Sequence, residues 1–572
     1  MEYLLGGIVL ISVLIQGGFY PTCFLFMGAV LSALCLRVRR RPLTAEYLLW
    51  GLAAVYLISS LAHGFDSRGL SQALLAGSTA LFLYVYCDLS PKKKEALLAT
   101  LLAGSTVFAA LAILSFSGLL PLQGAVVSHR LQFTFQYANA AGSWFAVTAL
   151  LVQDTAAKKL RRFAPLSITA LLLTGSIGAI GLYFLLLAVK LWMTRDSQTW
   201  PEALFTQLAA AAFALLFRRF EGLAAVPLLA LLCLAGRVIH KLPWIRWKLL
   251  LLVCGIPVAA LSAAALSGRL LSGARTMAER LIQIIDGANV IVHNPLFGIG
   301  AGNWAEVYPY YQSAQYNSAV VHSSLIQIGV DAGIPAMVLS IIFILLAWRT
   351  GKRSLTQGLA ALLLIVHSTV DFTLRFYPVV LLLLVLLFWG DCESGTKKQG
   401  FSSFMITAII TLALCVGLSY SEIQYKRCVY QAQTRNWRAV IVSYERNKTL
   451  FGRNTLAENL YLNALYASGQ PRQALKTMNV SKNLTLDALI LKASALHALG
   501  NHDEACQFLL SELVKQPYRV SLYEQTAELF SAWGADEKYI SRFNAIADDA
   551  NRNQGLLAAF KGDHVPIAHI HE

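Results

Sequence analysis

The chain has 572 residues, of which 56% are hydrophobic and only 14% charged, with a mean hydropathy of +0.57. A soluble protein of this length would divide into roughly four domains and carry about 25% charged residues; too little polar surface remains here, so most of the chain must face lipid. The net charge of +16 does not mark a nucleic-acid binder, because +14 of it lies in residues 1–420, in the loops between apolar runs, and only +2 in residues 421–572.

Apolar runs near the length that spans about 30 Å of hydrocarbon alternate with short basic clusters at 37–41, 92–94, 158–162, 190–195, 237–248, 349–353 and 397–398. They predict about 15 helices, at 4–20, 21–36, 45–62, 70–87, 96–119, 138–153, 164–175, 178–193, 203–217, 222–236, 249–267, 322–348, 355–371, 376–390 and 403–420. No basic region precedes the first run, so it is expected to be a retained anchor. Placing every basic cluster in the cytoplasm puts the N-terminus inside and everything after 420 outside. By that count 22 basic residues of the membrane region lie inside and 8 outside, with Arg218 and Arg219 outside against the rule. The expected fold class is all-α: a polytopic transmembrane bundle over 1–420 with an extracytoplasmic helical repeat domain over 421–572. The nine cysteines are scattered, with no C-x-x-C and no disulfide framework.

One outside connection is long. Residues 268–321 are polar, glycine-rich and aromatic (Trp304, Tyr308, Tyr310, Tyr311, Tyr316), and structureless connections of this length are usually functional or disordered. The tyrosines favour a loop facing the membrane surface or a sugar.

Residues 421–572 are charged and helical in period, and they repeat. Ala464–Leu475 recurs as Ala493–Ala505; Gly469 and Gly500 mark turns, each followed five residues later by a small residue, Ala474 and Ala505. Gly534 lies 34 residues beyond Gly500, and the Arg435–Ala439 segment 34 before Gly469. The spacing suits helix-turn-helix units of the tetratricopeptide type, with a generic helical bundle as the alternative. Such arrays stack into a superhelix whose concave face often takes peptides, so a protein partner is expected there. The tail carries His564, His569 and His571, but with no acid or cysteine at ligand spacing other than Glu572 no metal site is expected.

Ionisable residues at membrane boundaries are costly and therefore functional candidates. The densest group is Arg269, Arg275 and Arg280, leading into His293-Asn-Pro-Leu-Phe-Gly-Ile-Gly-Ala-Gly302-Asn-Trp304. Gly298, Gly300 and Gly302 permit backbone conformations closed to other residues, as a loop over a polar head group requires. His322 opens the next helix beside the external loop, placed to act as a general base or hydrogen-bond donor, with a structural role as the alternative. Asp331 and Asp371 are carboxylates at buried depth, for which helix-to-helix bonding is the plain reading. Arg130 and Asn139 stand at another outside helix entry.

Taken together, Arg280 followed by Pro295-Leu-Phe-Gly-Ile-Gly-Ala-Gly302-Asn, His322-x10-Gly333 and His367-Ser-Thr-Val-Asp371-Phe resemble the O-antigen ligase and polymerase superfamily, over about residues 1–420. The Arg130…Asn139 segment fits the same pattern. The resemblance implies a GT-C type integral-membrane glycosyltransferase of the bacterial cytoplasmic (inner) membrane. It would move a glycan from an undecaprenyl-diphosphate carrier to a hydroxyl on a saccharide or protein, without metal, cofactor or nucleotide sugar.

Such chemistry needs positive charge where the diphosphate leaves. Guanidinium binds phosphate bidentately and stays charged, so Arg280, with Arg275 or Arg130, is the expected clamp. The resemblance gives His322 to the acceptor hydroxyl, and attack from the back side would invert the anomeric centre; Asn139, Gly298, Gly300, Asp331 and Asp371 are supporting residues. One departure stands out: many members carry Thr-x-Ser-Arg-Gly at a helix break where this chain reads Thr174-Gly-Ser176-Ile177-Gly178. Another arginine must then substitute, or the donor differs, or the protein is inactive. A ligase, a repeat-unit polymerase, and a non-catalytic scaffold or glycan transporter all remain open at this point.

Overall fold

The computed structural model describes residues 1–65, 67–154, 159–194, 199–241, 276–390, 403–448, 454–480 and 485–552. The chain is an all-α polytopic membrane protein, and among the described residues the only strand pairing is a two-residue antiparallel ladder, Val126–Val127 (β1) with Arg130–Leu131 (β2). Fourteen of the expected helices are present: α1 (Glu2–Leu14), α2 (Pro21–Cys35), α3 (Thr44–Ala62), α4 (Ser67–Cys87), α5 (Pro91–Phe116), α6 (Ala138–Val152), α7 (Ala164–Thr174), α8 (Ile177–Thr194), α9 (Thr199–Arg219), α10 (Ala225–Lys241), α12 (Ser324–Thr350), α13 (Leu355–Thr369), α14 (Tyr377–Leu387) and α15 (Ser403–Gln433). The fifteenth, 249–267, lies outside the described residues, as do Arg269, Arg275 and the histidine tail. Eight described helices are long and apolar enough to cross a membrane, and five shorter apolar ones accompany them.

The chain divides into two compact units, 1–50 with 75–276 and 340–413, and 51–74 with 277–339 and 414–572. In the first, α6 is buried along its whole length because its opening residues are small (Ala138, Ala140, Ala141, Gly142, Ser143). A Cβ on Gly142 would come within 2.9 Å of Ser176 Cβ, so the glycine lets neighbouring helix ends close up. Helix α7 packs on α6 and α9, and α13 packs on α6 and α8. Charges inside this unit are paired: Arg40 with Glu46, while the buried Lys94 ammonium donates to Phe388 O (3.0 Å) and Gly390 O (2.7 Å) beyond the end of α14.

The second unit corrects the reading of 268–321 as a loop. Residues 276–293 form a helix, α11. Ile282, Gln283, Asp286, Val290 and Ile291 are buried, with spacings of one, three and four residues that mark one helical face. Nor do the aromatic residues all face outward. Trp304, Tyr308 and Tyr316 stack in series, with centroids 5.5 and 5.4 Å apart, in a core shared with Ile282, Val290, Ile291 and Val321. Large rings bury more apolar area than any other side chain, and this segment uses them as its interior; Tyr310 is exposed.

Beyond α15, which runs unbroken through position 420 to Gln433, the chain forms α16 (Trp437–Asn447), α17 (Thr455–Ala467), α18 (Pro471–Val480), α19 (Leu486–Ala498), α20 (His502–Lys515), α21 (Val520–Trp533) and α22 (Glu537–Arg552). Gly469, Gly500 and Gly534 each take positive φ (74°, 89°, 60°) between paired helices, where the turn excludes a Cβ. Ala474 and Ala505 are fully buried at the contact faces. Side-chain oxygens of Asn436, Asn454 and Thr485 accept backbone N–H groups at three helix starts.

Candidate active site

In the first unit, the ends of α6, α7, α8, α9 and α13 converge. Arg130 lies on β2; its Nε donates to Thr174 O (2.9 Å) and its Nη2 to Asn139 Oδ1 (3.0 Å). Asn139 Nδ2 donates to Tyr137 Oη (2.9 Å) and to Asp371 Oδ2 (2.8 Å), and the Tyr137 hydroxyl donates to the same carboxylate oxygen at 2.9 Å. The Tyr137 ring stacks on Phe372 (centroids 4.6 Å apart). An arginine and a carboxylate are thus joined through one amide, so neither charge is buried without compensation.

Helix α7 stops at Thr174 because Gly175 turns left-handed (φ +57°), and the last carbonyls of a helix carry partial negative charge. Two arginines reach that end: Arg130 at Thr174 O, and Arg218, whose Nη2 approaches Leu172 O at 3.4 Å and Nη1 approaches His129 O at 3.5 Å. Arg218 also lies over the Phe116 ring, 5.7 Å from its centroid. The helix break before Ile177 therefore has two guanidinium groups delivered from other elements. Arg218 was not among the expected site residues. Its signal was the breach of the positive-inside rule.

In the second unit, the glycine loop and the break in α12 lock together. Gly333 takes φ +80°, ψ −177° inside α12, a backbone conformation open essentially only to glycine. The chain bends there, Ile334 N donates to Pro295 O (2.8 Å), and Ile299 N donates to Val330 O (2.8 Å). A Cβ on Gly333 would meet Pro295 O at 2.6 Å, and one on Gly298 would meet Val330 O at 2.3 Å. Ser59 Oγ serves both strands of this crossing, donating to Phe297 O (2.7 Å) or Asp331 O (3.0 Å). The Asp331 carboxylate accepts from Gln327 Nε2 (2.8 Å), whose own Oε1 accepts Val321 N (2.6 Å). Gly333 and Asp331 therefore set the path of the chain on both sides of His322.

His322 sits in a bend, with Ser323 capping α12 by accepting Ile326 N (3.4 Å). Its backbone N–H donates to Gln283 Oε1 on α11 (3.4 Å). Arg280 precedes Gln283 by three residues and so shares its face, one turn nearer the start of the helix; it is half-buried. The His322 backbone is thereby held at the α11 face that carries Arg280. Asp286, one turn further on, accepts from Ser313 N, Ser313 Oγ and Tyr316 Oη at 3.1, 2.6 and 2.8 Å. Burial holds this carboxyl above its ordinary range, against the pull of those three donors, and holds the Tyr316 phenol high as well.

A further residue, unread in the sequence, organises the loop's far side. Arg68 at the start of α4 donates to Gly302 O (2.7 Å), Asn303 Oδ1 (2.5 Å) and Thr455 Oγ1 (2.9 Å), and pairs with Glu306 at 3.5 Å. Tyr310 Oη donates to Glu512 Oε2 at 3.0 Å. The paired helices after 433 are thus bonded directly to the segment that follows the glycine loop.

Arginines thus gather at the end of α7 in the first unit, and in the second the His322 backbone is bonded to the α11 face that carries Arg280. Residues 204–341 match the family model described as O-antigen ligase, and this stretch contains Arg218, Arg280, the glycine loop, His322 and Gly333. The match covers about a quarter of the chain; it makes this stretch similar to O-antigen ligases and supports a function of the membrane glycan ligase or polymerase type. No curated protein matches the chain.

Proposed function

We propose that the protein transfers a glycan from an undecaprenyl-diphosphate carrier to an acceptor hydroxyl on a saccharide or protein, without metal and with inversion. The reading rests above all on one observation: the stretch matching the O-antigen ligase family contains both Arg280 and His322, and the His322 backbone is bonded to Gln283 on the α11 face that carries Arg280. In the reaction the acceptor oxygen forms a bond to the anomeric carbon as the bond from that carbon to the diphosphate oxygen breaks. The hydroxyl proton passes to an imidazole nitrogen of His322. The diphosphate leaves with the bonding electrons, and the Arg280 guanidinium binds the charge that develops.

The sequence resemblance also offers Arg275 and Arg130 as phosphate-binding residues; within its own unit Arg130 is accompanied at the α7 end by Arg218. Gly298 and Gly300 shape the loop, Asp331 steadies the start of α12, and Asn139 with Asp371 fixes the plane of Arg130. The setting is the bacterial cytoplasmic membrane, with 421–572 on the outer side as a tetratricopeptide-like array that recruits a protein acceptor or assembly partner. Polymerisation of lipid-linked repeat units is the second reading, since the same groups serve when the acceptor is another lipid-linked glycan.

The test is the profile of lipid-linked glycans in a strain lacking this gene. Full-length polymer accumulating on the carrier supports the ligase, and accumulating single repeat units support the polymerase. A profile unchanged from wild type overturns both.

A further inference from the structure

The two faces of α11 are unlike each other in a way the transfer chemistry does not require. Ile282, Gln283, Asp286, Gly287, Val290 and Ile291 turn into the core of their own unit. At 100° per residue, Met277, Leu281, Ile285 and Val292 fall within a sector of about 80° on the opposite side. All four are exposed, Val292 by 73%, and the stripe runs on into Leu296 (63%) and Phe297. A soluble surface rarely shows so many adjacent large apolar side chains.

The stripe is continuous with a surface that faces lipid. Leu296 lies against the break in α12, where a Cβ on Gly333 would touch its carbonyl group at 2.6 Å. Just past that break Ile334 and Val338 are exposed on α12, a helix long and apolar enough to span the membrane, with less than half of its most apolar window buried. Apolar surface thus passes from a spanning helix onto α11 through Leu296. Yet α11 is ill suited to cross: Glu279, Arg280 and Asp286 fall within 18 residues, and charges at mid-bilayer are costly. A helix with one strongly apolar exposed face and charges elsewhere lies in the interface, its apolar side sunk to the headgroup–acyl boundary.

The geometry points to α11 as an interfacial membrane helix whose stripe of Met277, Leu281, Ile285 and Val292 contacts the acyl chains of bilayer lipid. Arg280, at the border between the two faces, then stands at headgroup depth. The inference needs no reaction, and it holds whether or not the protein transfers a glycan.

The full chain carrying Ile285→Cys, labelled there with an environment-sensitive fluorophore and reconstituted in phosphatidylcholine vesicles, tests it; the unsubstituted chain reports background labelling. Blue-shifted emission, lowered by about half or more when the lipids carry a nitroxide near the top of the acyl chain, is the expected result for an interfacial helix. Water-like emission overturns the inference. So does blue-shifted emission insensitive to the nitroxide lipid, which would mean that protein, including a second copy of this chain, covers the stripe. Val292→Cys gives the same reading independently if Ile285→Cys fails to fold.

Discussion

Gln283 holds His322 by its backbone: the side-chain oxygen on α11 accepts the His322 N–H at 3.4 Å. The link ties the bend before α12 to the helix that carries Arg280, so the two proposed reacting groups share one support. Replacing the acceptor leaves that N–H without it, a change worth about 1 kcal/mol, and misplaces the imidazole by a small distance. Gln283→Ala is expected to lower turnover about fivefold while leaving expression and thermal unfolding near wild type. Unaltered turnover would show that the link does not position His322.

The crossing of the glycine loop with the α12 break makes a sharper structural prediction. At Gly333 an alanine faces both a backbone conformation it rarely adopts and the Pro295 carbonyl oxygen 2.6 Å from its Cβ. Gly333→Ala should destabilise by about 2–4 kcal/mol, read as a lower unfolding temperature in detergent. Gly181→Ala, on α8 with open space and ordinary helical φ, is the control and is expected to hold the wild-type value or rise slightly.

Asp286 predicts a pH dependence with a definite sign. Burial raises its folded-state value above the ordinary 3.8, so it contributes stability that is fully present below that ordinary value and is lost as pH rises through the folded-state value. The opening free energy of the 304–318 segment, measured by hydrogen exchange corrected for intrinsic rates, should therefore fall from acid pH toward neutrality. In Asp286→Asn the slope should vanish. A segment that tightens as pH rises would contradict the assignment.

The side of the membrane taken by residues 421–572 follows from the basic clusters in the loops before them. A protease added to intact spheroplasts should cleave this region and leave an intact membrane-embedded fragment. Protection until the membrane is broken would place the paired helices in the cytoplasm.

How much of this was legible in the sequence depends on the range of the signal. Long apolar runs announce helices because lipid admits little else, and the turn glycines at 469, 500 and 534 were readable because their role is local. Helix α11 was missed: its apolar residues serve two opposite faces, and with glycines and tyrosines downstream the segment read as one polar loop. The inward stacking of Trp304, Tyr308 and Tyr316 has no local mark either, since a buried tyrosine and a sugar-facing one are spelled alike. Arg68 meets Gly302 and Thr455 across separations of 234 and 387 residues, which no local pattern records. Arg218 did leave a trace, since the expected topology set it against the charge rule, and its approach to the carbonyl end of α7 supplies an electrostatic partner for it.

The most direct measurement of the central claim is turnover by the purified full chain in lipid, with an undecaprenyl-diphosphate glycan as donor and a saccharide acceptor, comparing wild type with Arg280→Lys and His322→Ala. Lysine keeps the charge but loses the planar fork, so Arg280→Lys is expected to fall by about 100-fold or more, and His322→Ala by about 100- to 10,000-fold. Both variants should fold and reconstitute as wild type does. Wild-type turnover in either would contradict catalysis by this pair.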